Sequence, residues 1–234
     1  MVSRETEASA QQCFQEVYLL GFFFAMRSCE HVLVTGTRKT QPIRLRNLQF
    51  IHNNRVLRRN SKQLEQADTI SITFEYQKRD LRNDKITQSK SGHSWMCPVK
   101  AAAAIVRRMK RLKLDDDAFI YTYRQHGGQL GHLTSTMAIQ FLRDFIKSVD
   151  YEARGLDPER IGNHSNRSSA AMAMYLNKVP VCTIMLLGRW SSDAFLRYIR
   201  PQVAQLTNGV AKQMIENPSF YTVPNASSED PRTH

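Results

Sequence analysis

The sequence is poor in the features that mark several protein classes. It has four cysteines in 234 residues, Cys13, Cys29, Cys97 and Cys182, far apart and with no C-x-x-C pair. That spacing argues against a structural zinc site or a disulfide framework, and it fits the reduced thiols of an intracellular protein. The longest apolar run, Val17 to Met26, is about ten residues, whereas a membrane-spanning helix needs roughly 20. No segment joins a basic start, an apolar stretch and a small-residue cleavage site, so no signal peptide is expected. There is no internal repeat. The one acidic run, Asp115-Asp116-Asp117, reads as a solvated turn rather than a two-metal site, so neither metal nor cofactor is expected. A soluble intracellular protein with no membrane partner is the expectation.

Negative charge is also scarce. Against 33 Lys+Arg stand 21 Asp+Glu, for a formal charge of +12. Residues 1–120 carry 21 basic and 12 acidic residues (+9), and the remainder 12 and 9 (+3). Such an excess points to a polyanionic partner, because each cation near a phosphate adds attraction and releases a counterion. Hydrophobic residues make up 41%, enough for a packed core and too many for wholesale disorder.

The pattern along the chain predicts an α+β arrangement, not an alternating βαβ series. Residues 7–26 suit a helix, with Phe14 to Met26 apolar enough to be buried. Ile43 to Ile51 alternates as a short strand, and residues 52–67 read as a polar, basic surface loop. Thr69 to Tyr76, TISITFEY, carries a strong strand signal. Lys78 to Asp84 reads as a charged turn, and a second strand over Lys85 to Ser89 completes a hairpin. Val99 to Leu112 reads as a helix with Pro98 just before it. Its cluster Arg107, Arg108, Lys110, Arg111 and Lys113 suits either a solvated face or DNA contact. Beyond Asp117 the pattern is helical: Leu133 to Val149, then a helix capped by Asn163 and running to about Asn177. Val181 to Leu187, a helix opening at Ser191-Ser192-Asp193 and containing Tyr198, and a last one from Pro201 to about Asn217 follow. Residues 218–234 read as a polar tail.

The candidate chemistry lies in scattered polar residues. His164-Ser165-Asn166-Arg167 puts His164 and Arg167 three apart on one face at a helix start, where free N–H groups and the dipole favour a phosphate. By itself the pair is weak evidence. Leu187-Gly188-Arg189-Trp190 precedes Tyr198, which follows Arg189 by nine residues. Taken singly, Trp190 reads as a core anchor and Tyr198 as a core tyrosine flanked by Phe195 and Ile199. Upstream, Arg27-x-x-Glu30 follows an apolar helix, and Lys78 sits at the hairpin.

In this order these residues resemble the catalytic domain of the tyrosine recombinases, the phage-integrase family, over about residues 10–215. GRWSSDAFLRYIRP, with CPV after the hairpin, is most similar to the recombinases of eukaryotic mobile elements of the Crypton and DIRS-like groups. The resemblance implies a mainly helical domain with a small antiparallel sheet, spanning residues 1–217. It implies Tyr198 as the nucleophile that attacks the scissile phosphodiester and forms a 3′-phosphotyrosyl link. Arg27 and Arg167 are implied to hold the non-bridging oxygens, Lys78 to protonate the departing 5′-oxygen, and His164 to assist proton transfer. Glu30 is implied to support the site. Lys85 and Lys90 share the hairpin region with Lys78, which is preferred because it directly follows the strong strand. The family's His or Trp usually stands nine residues before the tyrosine. Here that place holds Arg189 with Trp190 one further on, and which of the two meets the phosphate stays open.

The residue types suit that chemistry. Arginine forks stabilise charge that builds on a phosphoryl group under attack. A tyrosine with a pKa near 10 needs deprotonation or a cationic site to attack. An alkoxide leaves poorly without a proton donor. Rejoining needs no ATP, since the phosphotyrosyl link conserves the phosphodiester energy.

The family's helical clamp domain has no counterpart before Arg27, so weak, unselective binding to double-stranded DNA is expected of this chain alone. A tetramer on DNA is the implied assembly and the nucleus the implied location. Two other readings compete with a recombining enzyme: a catalytically inactive DNA-binding protein derived from such an element, and a metal-dependent nuclease or RNA-binding module.

Overall fold

The fold is read from a computed structural model that describes residues 4–36, 39–77, 82–149, 155, 157–192 and 196. Helix α1 (Arg4–Phe23) lays one stripe on the core: Ala10, Cys13, Val17, Leu20 and Phe24, none more than 1% exposed. Their alternating spacing of three and four keeps them on one helical face. Helix α3 (Pro98–Arg111), started by proline at its first turn, packs against α1. Its buried Ala101, Ala102 and Ala103 let the two backbones approach closely.

Four antiparallel strands stand beside the two helices, β1 (Leu48–His52), β2 (Arg55–Val56), β3 (Thr69–Tyr76) and β4 (Arg82–Ser89), in the order β2-β1-β3-β4. The strand expected over Thr69–Tyr76 has those bounds in the structure. Phe50, Ile70, Ile72 and Phe74 bury their side chains against the helices. The pairing runs from Thr69↔Ser89 to Tyr76↔Arg82 and skips Asn83, whose φ is +54°. Asn83 stands opposite Glu75 with the register unchanged on either side, and a residue type that tolerates the left-handed region occupies it.

The structure departs from the sequence reading at several places. Leu45–Asn47 is a 3₁₀ turn, so the first strand starts at Leu48 rather than Ile43. The stretch 52–67 is not all loop: it holds β2 and a second 3₁₀ turn at Leu64–Gln66. The second hairpin strand begins at Arg82, three residues earlier than expected. A small hairpin, β5 (Thr122–Arg124) with β6 (Leu130–His132), occupies a region read as helical. There the alternation spans three residues per strand, too few to register as a period.

The predicted helices follow: α4 (Ser135–Lys147), where Thr134 Oγ1 accepts from Met137 N, then α5 (Ser165–Leu176) and α6 (Val181–Gly188). The cap of α5 is His164 rather than Asn163, and its side chain makes no capping bond. The result is an α+β fold of helices around a small antiparallel sheet. No helix among the described residues is long and apolar enough to cross a membrane, and among them no group of His, Cys, Asp or Glu is arranged to hold a metal. Asp116 and Asp117 pair with Arg59 and Arg46, as a solvated turn would.

Candidate active site

Two helix ends create the site. Helix α1 stops where Ala25 takes a left-handed φ of +43° and Met26 N reaches back to Gly21 O at 2.8 Å. Helix α6 stops the same way: Arg189 has φ +54°, and Trp190 N bonds Met185 O at 2.9 Å. Both are left-handed C-terminal caps, a position that glycine usually takes. Each leaves backbone carbonyls without intrahelical donors.

Two buried arginines satisfy those carbonyls. Arg189 donates from Nη1 to Phe24 O (3.1 Å) and Leu187 O (3.3 Å). Arg167, on α5, donates to Ala25 O and to Gly188 O. Each guanidinium therefore ties the C-terminal end of α1 to that of α6, where the helix dipoles favour a cation. Arg167 and Arg189 are 4% and 6% exposed.

A third arginine and one carboxylate complete the cluster. After α1, Arg27 caps α2 (Ser28–His31), and its backbone N–H donates to Glu30 Oε2 at 2.8 Å. Its Nη1 donates to Glu30 Oε1 at 3.1 Å, while Arg189 Nη2 donates to Glu30 Oε2 at 2.7 Å. Glu30 is fully buried. Burial alone would raise its pKa. The charges of Arg189, Arg27 and Arg167, with the Arg27 N–H bond, win and hold it below the usual carboxylate range.

Aromatic faces close the cluster. The Arg189 guanidinium lies 3.6 Å from the Phe74 ring centroid, and that of Arg167 lies 4.3 Å from the ring of Trp190. Such stacking suits a planar cation that has shed its water.

Arg27, Glu30, Arg167, Arg189 and Trp190, scattered over the sequence, are thus brought together. Arg189 points inward: four of its five N–H donors are committed to Gln77, Phe24, Leu187 and Glu30. His164 stands at the exposed start of α5, one turn before Arg167. Lys78 and Tyr198 lie outside the described residues, as do the helix from Pro201, the tail 218–234 and all but Ser191, Ser192 and Leu196 of the expected helix that opens at Ser191. The two other hairpin lysines are engaged elsewhere: Lys85 with Gln49, and Lys90 with Asp68 at 3.1 Å, at the far end of the β3–β4 ladder from Gln77.

Two residues of the cluster carried no functional signal in the sequence. Gln77 is fully buried and bonds both Arg27 and Arg189. Only its place next to Lys78 marks it. Phe74 reads as an ordinary core position of the strand. Conversely, Arg108 belongs to neither reading of the basic helix. It is buried in an ion pair with Glu16 of α1 at 2.7 Å and donates to the carbonyls of Thr122 and Ile120.

The cluster carries an excess of positive charge. Three guanidiniums and one carboxylate leave 3 − 1 = +2, or +1 with the half-buried Asp84 that acts on Arg189. Excess positive charge with little water around it attracts an anion strongly. No protein-family model matches the chain, and no curated protein matches it.

Proposed function

We propose that this chain cleaves and rejoins duplex DNA through a phosphotyrosyl link at Tyr198, as a recombinase of a mobile element does. The observation that carries the proposal is the convergence of Arg27, Arg167 and Arg189 on one buried carboxylate, with net positive charge left over. A scissile phosphodiester gathers negative charge on its non-bridging oxygens as it is attacked. Guanidiniums fixed in advance stabilise that charge without reorganising during the step. In this reading Arg27, with a side chain 26% exposed, reaches the phosphate, and the buried Arg167 and Arg189 add positive charge behind it. Trp190, stacked on Arg167, suits the place that the resemblance gives to the family's His or Trp better than the inward-pointing Arg189. Lys78 donates the proton to the departing 5′-oxygen and His164 assists. Neither metal nor nucleotide is needed. A tetramer on DNA and a nuclear location complete the proposal.

One observation favours a second reading, a DNA-binding protein without chemistry: all three arginines spend donors on backbone carbonyls. A nicked suicide duplex incubated with the protein in EDTA separates the two. A covalent protein–DNA adduct that disappears in Tyr198→Phe supports cleavage. DNA binding without adduct supports the second reading, and an EDTA-sensitive cut without adduct overturns both.

A further inference from the structure

Gln77 is the neutral centre of the cluster. It follows directly on β3 and is fully buried. Its Oε1 accepts from Arg27 Nη1 and from Arg189 Nε, both at 3.1 Å. Its Nε2 donates to Asp84 Oδ2, on β4, at 3.3 Å. One amide thus joins the segment after α1, the cap of α6 and both strands of the hairpin. Both lone pairs of its carbonyl are in use.

The choice of amide over carboxylate follows from charge. Glu30 already offsets one of the three guanidiniums. A second carboxylate at position 77 would halve the net +2, or cancel the +1 left when Asp84 is counted, and would face Asp84 across 3.3 Å. An apolar residue would leave the buried Arg189 Nε–H without this acceptor and Arg27 Nη1 with Glu30 alone, and a buried donor left without its bond is costly. Glutamine alone of the three supplies an acceptor to both arginines, a donor to Asp84 and no charge.

We infer that Gln77 is a positioning residue: it sets Arg27 and Arg189 in register, and ties the turn end of the hairpin to them, without quenching their charge. The inference rests on the reading of this cluster as the phosphate site. It gives the hairpin a role in assembling the site, because the amide contacts the arginines only while the ends of β3 and β4 are paired.

The test uses Gln77→Asn and Gln77→Glu in the full chain. Arginine Nε–Hε spectra with ¹⁵N labelling report the geometry, and single-turnover adduct formation on a nicked duplex reports the rate. The asparagine variant keeps the amide but is one methylene shorter, so it cannot reach both arginines. Its Arg189 Nε–Hε signal is expected to move, with a rate at saturating DNA about 100-fold lower, the order of loss that a displacement of about 1 Å brings. The glutamate variant keeps the acceptor and adds charge: its Arg189 signal stays donor-bonded while the rate falls at least 30-fold. Half-saturating DNA concentration changes less than threefold in both. A merely structural role predicts instead losses that follow the melting temperature, with a normal rate in whichever variant melts normally, and that result overturns the inference. If the asparagine variant does not fold, the glutamate variant decides alone: a rate within threefold of the parent overturns the inference. If the parent forms no adduct, the cleavage proposal fails and the spectra alone judge Gln77. An unmoved Arg189 signal in Gln77→Asn, or loss of the donor-bonded Arg189 signal in Gln77→Glu, then refutes the positioning role.

Discussion

The ring of Trp190 is wrapped back onto Gly188, the last residue of α6, while its face covers the Arg167 guanidinium at 4.3 Å. A Cβ at position 188 would stand 1.8 Å from Trp190 Cζ3, so glycine is what permits the stack. Gly188→Ala is therefore expected to destabilise the fold by about 1–3 kcal/mol through overpacking, although alanine in a helix ordinarily gains up to about 1 kcal/mol. Urea unfolding gives the sign. Tryptophan fluorescence in a Trp95→Phe background shows the displacement, because Trp95 is 66% exposed and would otherwise dominate the signal. A stabilised variant with unchanged fluorescence contradicts this packing.

Arg189 occupies a backbone conformation that costs a non-glycine residue about 1–2 kcal/mol, yet its side chain is the main partner of Glu30. Removing one member of a buried pair costs about 3–5 kcal/mol. Arg189→Gly relieves the backbone but leaves Glu30 with Arg27 as its remaining hydrogen-bonded guanidinium, so a net loss of about 1–4 kcal/mol is expected. A lysine there has one ammonium in place of a fork that reaches Gln77, Phe24 and Glu30, and it is not expected to restore stability. A glycine variant as stable as the parent in urea would refute the structural role assigned to Arg189.

How much of this was legible in the sequence follows from the range of the interactions. The Thr69–Tyr76 strand was readable because eight residues repeat at period two. Helix α3 was readable because Pro98 sits in the first turn, where its missing N–H costs nothing. The β5–β6 hairpin was not, since each strand is three residues long. Glu30 was marked by its place after Arg27, but nothing local shows that its second partner lies 159 residues away. Arg108 looked like its basic neighbours because burial depends on α1, which local periodicity does not see. Gln77 gains its meaning only from three segments meeting in space.

His31 makes stability depend on pH. It is 1% exposed, and its Nδ1 donates to the Arg27 carbonyl at 3.0 Å, while Nε2 has no hydrogen-bond partner among the described residues. Burial pushes its pKa down to about 4, against the opposing pull of Glu30 and of the bond to Arg27. The unfolded chain, titrating near 6.5, binds the proton more readily. The contribution of His31 is therefore complete above pH 6.5 and is lost as pH falls from 6.5 through about 4. A shift of this size corresponds to about 3 kcal/mol. Urea titrations across that window are expected to slope in the parent and to flatten in His31→Gln. Glu30 begins to act as pH falls toward 4.5, the ordinary value of its carboxyl, so the slope owed to His31 is read above about pH 5.5.

The basic helix α3 separates two kinds of cation. Arg108→Ala is expected to cost about 3–5 kcal/mol, because Glu16 is left buried without its partner, and to leave the salt dependence of DNA binding unchanged. Lys110 and Arg111 are exposed. If they follow the DNA backbone, changing both to alanine lowers the slope of log K against log salt by up to about 1.8 while stability stays within about 0.5 kcal/mol. An unchanged slope in the double variant assigns that face to solvent.

Arg27 is the sharpest test of the cluster as a phosphate site. Its Nη1 is held by Glu30 and Gln77, its Nη2 reaches Arg189 O at 3.4 Å, and its Nε has no partner among the described residues. It is also the most exposed of the three guanidiniums. Glu30 keeps Arg189 as a partner when Arg27 is truncated. Arg27→Ala should therefore destabilise the fold less than Arg189→Gly while lowering the rate of adduct formation about 10²–10³-fold, the loss expected for one preorganised donor to a developing oxyanion. Arg27→Lys keeps the charge but not the fork, and a rate nearer to the alanine variant than to the parent is expected. The measurements are the single-turnover rate on the nicked duplex and the urea midpoint for each variant. A full rate in Arg27→Ala would remove the phosphate from this cluster, and the excess charge around Glu30 would then require another anion.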